Sequence, residues 1–179
     1  MKKLEAIQIF RAFDKKGKYV FTKQDMVKLF SHDNAKALDE GLNRLVKTGL
    51  IKRACRGVYV NDDAQSFNSY TIEYIAKALR RNAYNYVSLE SALSEYGAIS
   101  QIPLDRLTVM TTGRKGTYKT LYGVIEFTHT KRSVINILDH IQTITGRPLR
   151  VATKKTALRD LKRVYRNLHL LQSEDANDE

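Results

Sequence analysis

Residues 22–60 read TKQDMVKLFSHDNAKALDEGLNRLVKTGLIKRACRGVYV, and this stretch decides the fold of the first half of the chain. Thr22 and Asp25 have a spacing like that of a capping box, in which the hydroxyl accepts a hydrogen bond from a free backbone N–H and the carboxylate faces the positive end of the helix dipole. The pattern predicts a short helix over residues 23–30, with an apolar edge formed by Met26, Val27 and Phe30. The polar run at 31–34 is too short for a linker, so a second helix must follow at a sharp angle.

The second helix is expected over residues 34–48, where one stripe is apolar: Ala35, Leu38, Leu42, Leu45 and Val46. Gly49 follows as the left-handed C-cap residue. Two β-rich runs, at 50–54 and 57–60, flank Cys55-Arg56 and predict a hairpin with a basic tip. Two helices and a hairpin in this order predict a winged helix-turn-helix, a unit that places its second helix in the DNA major groove.

In such a unit the second helix reads base edges, while basic side chains of the hairpin and of the first helix hold phosphates. The candidate base readers are Asn34, Lys36, Asn43 and Arg44, with Lys47 on the same polar face. The candidate phosphate contacts are Lys23, Lys52, Arg53 and Arg56. The alternative is an ordinary small α+β unit for protein contacts, whose polar faces are merely solvated.

The charge balance favours a polyanionic partner. The chain of 179 residues has 31 Lys and Arg against 19 Asp and Glu, a formal net charge of +12 and a pI near 9.8. Nucleic acid is the commonest partner of such a chain. Residues 1–64 and residues 65–179 carry equal excesses, so the second half is expected to meet either DNA or an acidic protein.

The remaining sequence predicts a two-domain α+β protein. An amphipathic first helix contains Leu4, Ile7, Ile9, Phe10 and Phe13, and Tyr19-Val20-Phe21 is an extended run suited to a third strand beside the hairpin. The polar run at 61–69 predicts the boundary between the two domains. We therefore expect a winged helix-turn-helix domain at 1–64, a mixed α/β domain with a small antiparallel sheet at 65–172, and an acidic, disordered tail at 173–179.

Within the second domain, helices are expected over 70–81 and 156–172, and Ser88 is expected to cap a further helix. The clearest strands are 106–111 and 124–130, whose alternation suits a half-buried antiparallel sheet. Residues 133–144 fit either a helix or a strand. The candidate basic surface of this domain comprises Arg80, Arg81, Arg114, Lys115, Lys162, Arg163 and Arg166.

The sequence contains no arrangement of residues typical of catalysis or of metal binding. We therefore expect no enzyme, no metal and no cofactor. The four histidines are scattered without a second ligand at metal spacing. The single cysteine, Cys55, excludes an intramolecular disulfide framework. The Gly113-Arg114-Lys115-Gly116 loop lacks phosphate-loop spacing, and the carboxylates do not form a nuclease pattern. No apolar run reaches transmembrane length and no signal peptide is evident, so we expect a cytoplasmic protein without membrane contact.

Three stretches give the chain a resemblance to a known family. They are the winged-helix end at 45–51 and 56–59, the run YVSLESALSEYG at 86–97, and VAT at 151–153 before ALRDL at 157–161. The chain resembles the AbiEi-type antitoxins of type IV toxin–antitoxin systems, associated with phage abortive infection. It departs from the family's pattern at 154–157, where KKTA stands in place of a Pro-Glu-Lys-Ala run.

The resemblance implies a protein that represses its own operon by binding inverted repeats in the promoter. It also implies a C-terminal domain needed to neutralise a nucleotidyltransferase-like toxin, without a stable complex between the two proteins. We expect a monomer that pairs on DNA. Two alternatives are a winged-helix repressor whose second domain senses a ligand or dimerises, and a DNA-processing enzyme that docks through the winged helix.

Overall fold

The chain forms two compact units, which are described separately. The computed structural model describes residues 2–99, 105–165 and 167–171. Clustering of backbone contacts separates Met1–Leu79 from Arg80–Glu179. Helices and strands are present in both units, so the protein is of the mixed α+β class.

The first unit contains four helices and a three-stranded sheet. In chain order the elements are α1 (Lys3–Asp14), β1 (Val20–Thr22), α2 (Lys23–Leu29), α3 (Ala35–Lys47), β2 (Lys52–Cys55), β3 (Val58–Val60) and α4 (Thr71–Leu79). The strand order is β1-β3-β2, and both pairings are antiparallel. The hairpin at β2 and β3 and the extended run before Thr22 therefore lie in one sheet, as the sequence predicts.

The core of the first unit lies between the helices and the sheet. It is built from Phe10 of α1, Phe21 of β1, Met26 and Phe30, and the α3 residues Leu38, Leu42 and Leu45. The rings of Phe10 and Phe21 lie 5.3 Å apart. Two residues assigned to the apolar stripes are exposed instead, Val27 at 51% and Ala35. Met26 is the buried residue of α2, and Val27 lies about 100° around the helix from it.

Helix α4 packs on the first unit, which differs from the expected boundary at residue 64. The Tyr19 hydroxyl lies 3.1 Å from Oγ1 of Thr71, and the rings of Tyr19 and Tyr74 are 5.2 Å apart. The segment before α4 is held by Asp14, which accepts hydrogen bonds from Ser66 Oγ at 2.7 Å and from the Ser66 and Gln65 N–H groups. These hydrogen bonds lower the pKa of Asp14, and the bond from the Ser66 hydroxyl has the largest effect. The polar run at 61–69 is therefore a connection within the first unit that hydrogen bonds hold in place.

The second unit contains a six-stranded sheet. Its elements are β4 (Asn85–Val87), α5 (Leu89–Glu95), β5 (Arg106–Thr111), β6 (Gly116–Thr120), β7 (Gly123–His129), α6 (Val134–Leu138), β8 (Ile141–Gln142), β9 (Arg150–Ala152), α7 (Lys154–Val164) and a 3-10 turn (Leu168–Leu170). The strand order is β6-β7-β5-β4-β9-β8. Buried apolar residues of β4, β5, β7, β9, α5 and α7 form its core.

The sheet is mixed, so the expectation of a small antiparallel sheet is wrong. β5 runs parallel to β7, and β4 runs parallel to β9. After β5 the chain passes to β6 at the sheet edge and returns as β7 between them, which makes the β5 and β7 directions equal. β5 is also buried on both faces from Leu107 to Thr111 rather than half-buried. Hydrophobic alternation carries no information about which strands become neighbours.

The last helix is shorter than expected. α7 ends at Val164, and Tyr165 adopts a left-handed conformation with φ of 53°. Its side chain is 85% exposed. Asn167 is also left-handed, so residues 168–170 form a separate turn. Arg166 and the expected acidic tail at 173–179 lie outside the described residues.

A buried carboxylate ties together several elements of the second unit. Asp160 of α7 is 0% exposed. It accepts hydrogen bonds from Arg132 Nη1 at 2.7 Å, from Ser88 Oγ at 2.9 Å and from the Tyr86 hydroxyl at 3.1 Å. Ser88 occupies the N-cap position of α5 as expected, yet its side chain makes no capping bond and serves Asp160 instead. We call these four residues the Asp160 cluster.

The pKa of Tyr86 follows from this environment. Burial is the largest cause that raises the pKa of Tyr86, and the negative charge of Asp160 raises this pKa further. A neutral phenol that donates to the carboxylate is thus the stable form in the folded protein.

Removing Arg132 is expected to destabilise the second unit strongly. In Arg132→Ala, Asp160 remains buried with only two hydroxyl donors, and an uncompensated buried charge costs about 3 kcal/mol. Urea titration of the full chain measures this loss. The control is Arg106→Ala, which breaks the more exposed Arg106–Glu126 pair. Its cost should stay below about 1 kcal/mol. Equal losses in the two variants would contradict a stabilising role for the cluster.

Candidate nucleic-acid interface

A concave surface in the first unit gathers side chains from α2, α3 and the β2–β3 hairpin. It has a volume of about 540 Å³ and is lined by Lys23, Asp39, Asn43, Arg53, Arg56, Gly57 and Tyr59. We call it the hairpin groove. Four of its lining residues, Lys23, Asn43, Arg53 and Arg56, are among the nine residues that the sequence nominates for DNA contact.

Local capping fixes the start of α2 at this groove. Thr22 Oγ1 accepts from the Asp25 N–H at 3.1 Å, and Asp25 Oδ2 accepts from the Thr22 N–H at 2.8 Å, so the predicted capping box is confirmed. The next N–H, that of Lys23, donates to the carbonyl oxygen of Gly57 at 2.8 Å. Gly57 turns the hairpin with φ of 79°, a conformation that other residues rarely adopt. The first residue of α2 is thereby joined to the tip of the hairpin.

The candidate base readers occupy different positions on α3. Asn43 lines the groove, whereas Arg44 projects about 100° further around the helix and is not part of the lining. Lys36 and Lys47 are exposed on the polar face. Asn34 is the N-cap of α3, and its Oδ1 accepts from the Ala37 N–H at 2.9 Å. Of the candidate base readers, Asn43 is therefore the one that lines the groove, and Asn34 caps α3.

The four candidate phosphate contacts fall into two classes. Lys23 Nζ lies 2.6 Å and 2.9 Å from the two carboxylate oxygens of Asp39, and Lys52 Nζ lies 2.5 Å from Asp62 Oδ2. The hydrogen bond from Lys52 to Asp62 raises the pKa of Lys52. Within the described part of the chain, no carboxylate pairs with Arg53 or Arg56, and both are exposed. These two guanidinium groups are available to an anion without breaking an ion pair.

Three groove residues were not nominated by the sequence interpretation: Asp39, Gly57 and Tyr59. Asp39 is the charged one. It precedes Asn43 by four positions on the same helix, so the two side chains share one edge of α3. This spacing is the sequence signal that could have placed Asp39 beside Asn43. The candidate set contained only cations and amides, however, because a carboxylate is not an expected phosphate contact.

The candidate basic residues of the second unit differ in exposure and in their contacts. The Arg80 guanidinium lies over the rings of Phe127 at 4.6 Å and Tyr118 at 4.9 Å, and it donates to the Arg114 carbonyl and the Tyr118 hydroxyl. Arg80 therefore has a packing role. Arg114 and Lys115 are exposed on the β5–β6 loop, where they line a shallow depression with His129. Arg81 is exposed, as are Lys162 and Arg163 at the end of α7.

Two features are absent from residues 2–99, 105–165 and 167–171. These residues contain no group of three His, Cys, Asp or Glu side chains placed to hold a metal ion. None of their helices combines the length and apolar composition required to cross a lipid bilayer.

Comparison with known proteins finds similarity of fold and none of sequence family. No family model matches the chain, and no curated protein matches it. The fold is similar to that in the crystal structure of the Rv2827c protein from Mycobacterium tuberculosis, with a TM-score of 0.61 and 12% sequence identity. The similarity covers 98% of this chain and 71% of that one. At this level of identity it supports a shared mixed α+β fold.

Proposed function

We propose that the chain is a sequence-specific double-stranded DNA-binding protein, and that its first unit is a winged helix-turn-helix. In this assignment α2 and α3 form the helix-turn-helix, α3 enters the major groove, and the β2–β3 hairpin is the wing. The order of α1, β1, α2, α3, β2 and β3 supports it, as does the antiparallel pairing of all three strands. An α-helix with its side chains is about 10–12 Å in diameter, which suits a major groove about 12 Å wide.

The hairpin groove is the observation that carries the proposal. Residues nominated separately on three elements line one concave surface, with an amide from α3 beside two exposed guanidinium groups. The amide suits a base edge, and arginine suits phosphate oxygens in a bidentate geometry. A groove for a neutral small molecule would not need unpaired arginines at its rim.

We further propose that the protein represses its own operon and counteracts a nucleotidyltransferase-like toxin. The basis is the resemblance to AbiEi-type antitoxins. One structural observation supports it: the second and third stretches that carry the resemblance are a single packed assembly. β4 pairs with β9, and Asp160 of the third stretch binds Tyr86 and Ser88 of the second. These stretches therefore have a physical reason to occur together.

Reversing charge in the groove is expected to weaken DNA binding on every sequence alike. In Arg53→Glu with Arg56→Glu two phosphate contacts are lost, and each removes about 0.9 from the slope of log K against log salt concentration. Fluorescence anisotropy with a promoter duplex and a scrambled duplex, over a salt titration, measures the slope. Asn43→Ala should leave the slope unchanged and reduce discrimination between the duplexes by about 1–3 kcal/mol.

The matched control for the charge reversal is Lys154→Glu with Lys155→Glu. These lysines are exposed in the first turn of α7, where acidic residues suit the helix dipole, and the change in net charge is the same. A slope that falls equally in the control, or that stays constant in the groove variant, would contradict the phosphate assignment.

The antitoxin proposal predicts growth rescue. The product of the gene adjacent to this chain's own gene is expected to be toxic when expressed alone, and co-expression of the full chain should restore growth. The Arg53→Glu, Arg56→Glu variant, expressed from an unrelated promoter, should still rescue because it carries an intact second unit. Colony counts measure the outcome. A harmless neighbour, or toxicity that the chain does not relieve, would favour a repressor without a toxin partner.

A further inference from the structure

A carboxylate occupies a surface that is otherwise suited to phosphates. Asp39 lies in the hairpin groove with Arg53, Arg56 and Lys23, and its side chain is 51% exposed. Both of its oxygens contact Lys23 Nζ. An exposed ion pair of this kind contributes little to stability, so stability is a weak reason for its position.

The chemistry of the major groove restricts what Asp39 can contact there. A carboxylate accepts hydrogen bonds and donates none. Phosphates, and the acceptor atoms of guanine and thymine, therefore repel it. The favourable partners are the exocyclic amino groups of cytosine, at N4, and adenine, at N6. If α3 lies in the major groove, these amino groups are the base-edge partners that suit Asp39.

The register of Asp39 relative to Asn43 sets the spacing of the two contacts. Four residues of a helix advance about 6 Å along its axis, and successive base pairs are about 3.4 Å apart. The bases opposite Asp39 and Asn43 are thus neighbours or next neighbours in the duplex. Asn43 has both donor and acceptor atoms and suits adenine.

We propose that Asp39 is a specificity-determining residue that selects a base with an exocyclic amino group, within about two base pairs of the base that Asn43 contacts. This inference rests on the proposed DNA-binding function. Asp39 has a second effect because it holds Lys23. While the pair is intact, the ammonium group is withheld from phosphates, which reduces binding to DNA of unrelated sequence.

Loss of the carboxylate should therefore change two properties in opposite directions. In Asp39→Ala, Lys23 becomes available to a phosphate, so affinity for random DNA should rise and the salt slope should steepen by about 0.9. Discrimination between the preferred duplex and a scrambled one should fall by about tenfold, because a base contact is lost. A residue with a purely structural role would lower affinity for both duplexes.

The experiment uses the full chain and a duplex library with a randomised centre. The wild-type chain first selects its preferred sequences, and Asp39→Ala, Asn43→Ala and Asp63→Ala are then taken through the same selection. Asp63 is an exposed carboxylate of the first unit outside the groove lining, so its removal makes the same charge change without releasing Lys23. Thermal unfolding confirms that each variant is folded.

The expected result is one position, enriched in cytosine or adenine by the wild type, that loses its preference only in Asp39→Ala. Asn43→Ala should flatten a position within about two base pairs of it. A consensus unchanged in Asp39→Ala, or a salt slope that steepens equally in Asp63→Ala, would overturn the inference and leave the proposed function standing. A wild-type chain that enriches no sequence would instead contradict the proposed function itself.

Discussion

The hydrogen bond from the Lys23 N–H to the Gly57 carbonyl oxygen, 2.8 Å long, is the constraint on which the geometry of the first unit depends. It joins the first residue of α2 to the hairpin turn, and it requires a glycine that can adopt positive φ. The capping box of Thr22 and Asp25 directs α2 away from this point. With both features in place, Lys23 and the two hairpin arginines border the same groove as the exposed edge of α3.

The second unit depends on a different kind of interaction, a buried carboxylate with three donors. Asp160 binds side chains from β4, from the start of α5 and from the segment before α6. A buried charge is tolerated only when it is paired and hydrogen-bonded, so these elements must be in place together. This requirement explains why YVS at 86–88 and ALRDL at 157–161, far apart in the chain, belong to one assembly.

Local pattern predicted local structure well. The Thr22 cap, the bounds of α3 and its stop at Gly49 follow from residues close together in the chain. The hairpin turn lies one residue later than expected, at Arg56-Gly57 rather than at Cys55-Arg56. The parallel pairing of β5 with β7 and the packing of α4 on the first unit depend on distant partners, and alternation cannot identify them. The contacts of the Arg80 and Asp160 side chains also depend on distant partners and could not be predicted from local pattern. An arginine and an aspartate are expected at the surface, and only the folded chain shows the aromatic rings and the donors that bind them. At the groove, charge and helical spacing nominated four lining residues, and the exclusion of carboxylates from the candidates omitted Asp39.

The central claim is that the hairpin groove is the DNA-binding surface, and the most direct test is a two-dimensional NMR titration of the ¹⁵N-labelled full chain with a duplex. The account predicts that the largest amide shift changes occur at Asn43, at Arg53 and Arg56, and at Gly57, whose carbonyl bond would respond to a bound phosphate. Shift changes of equal size throughout both units, or large changes elsewhere with these four amides unmoved, would contradict the assignment of the groove.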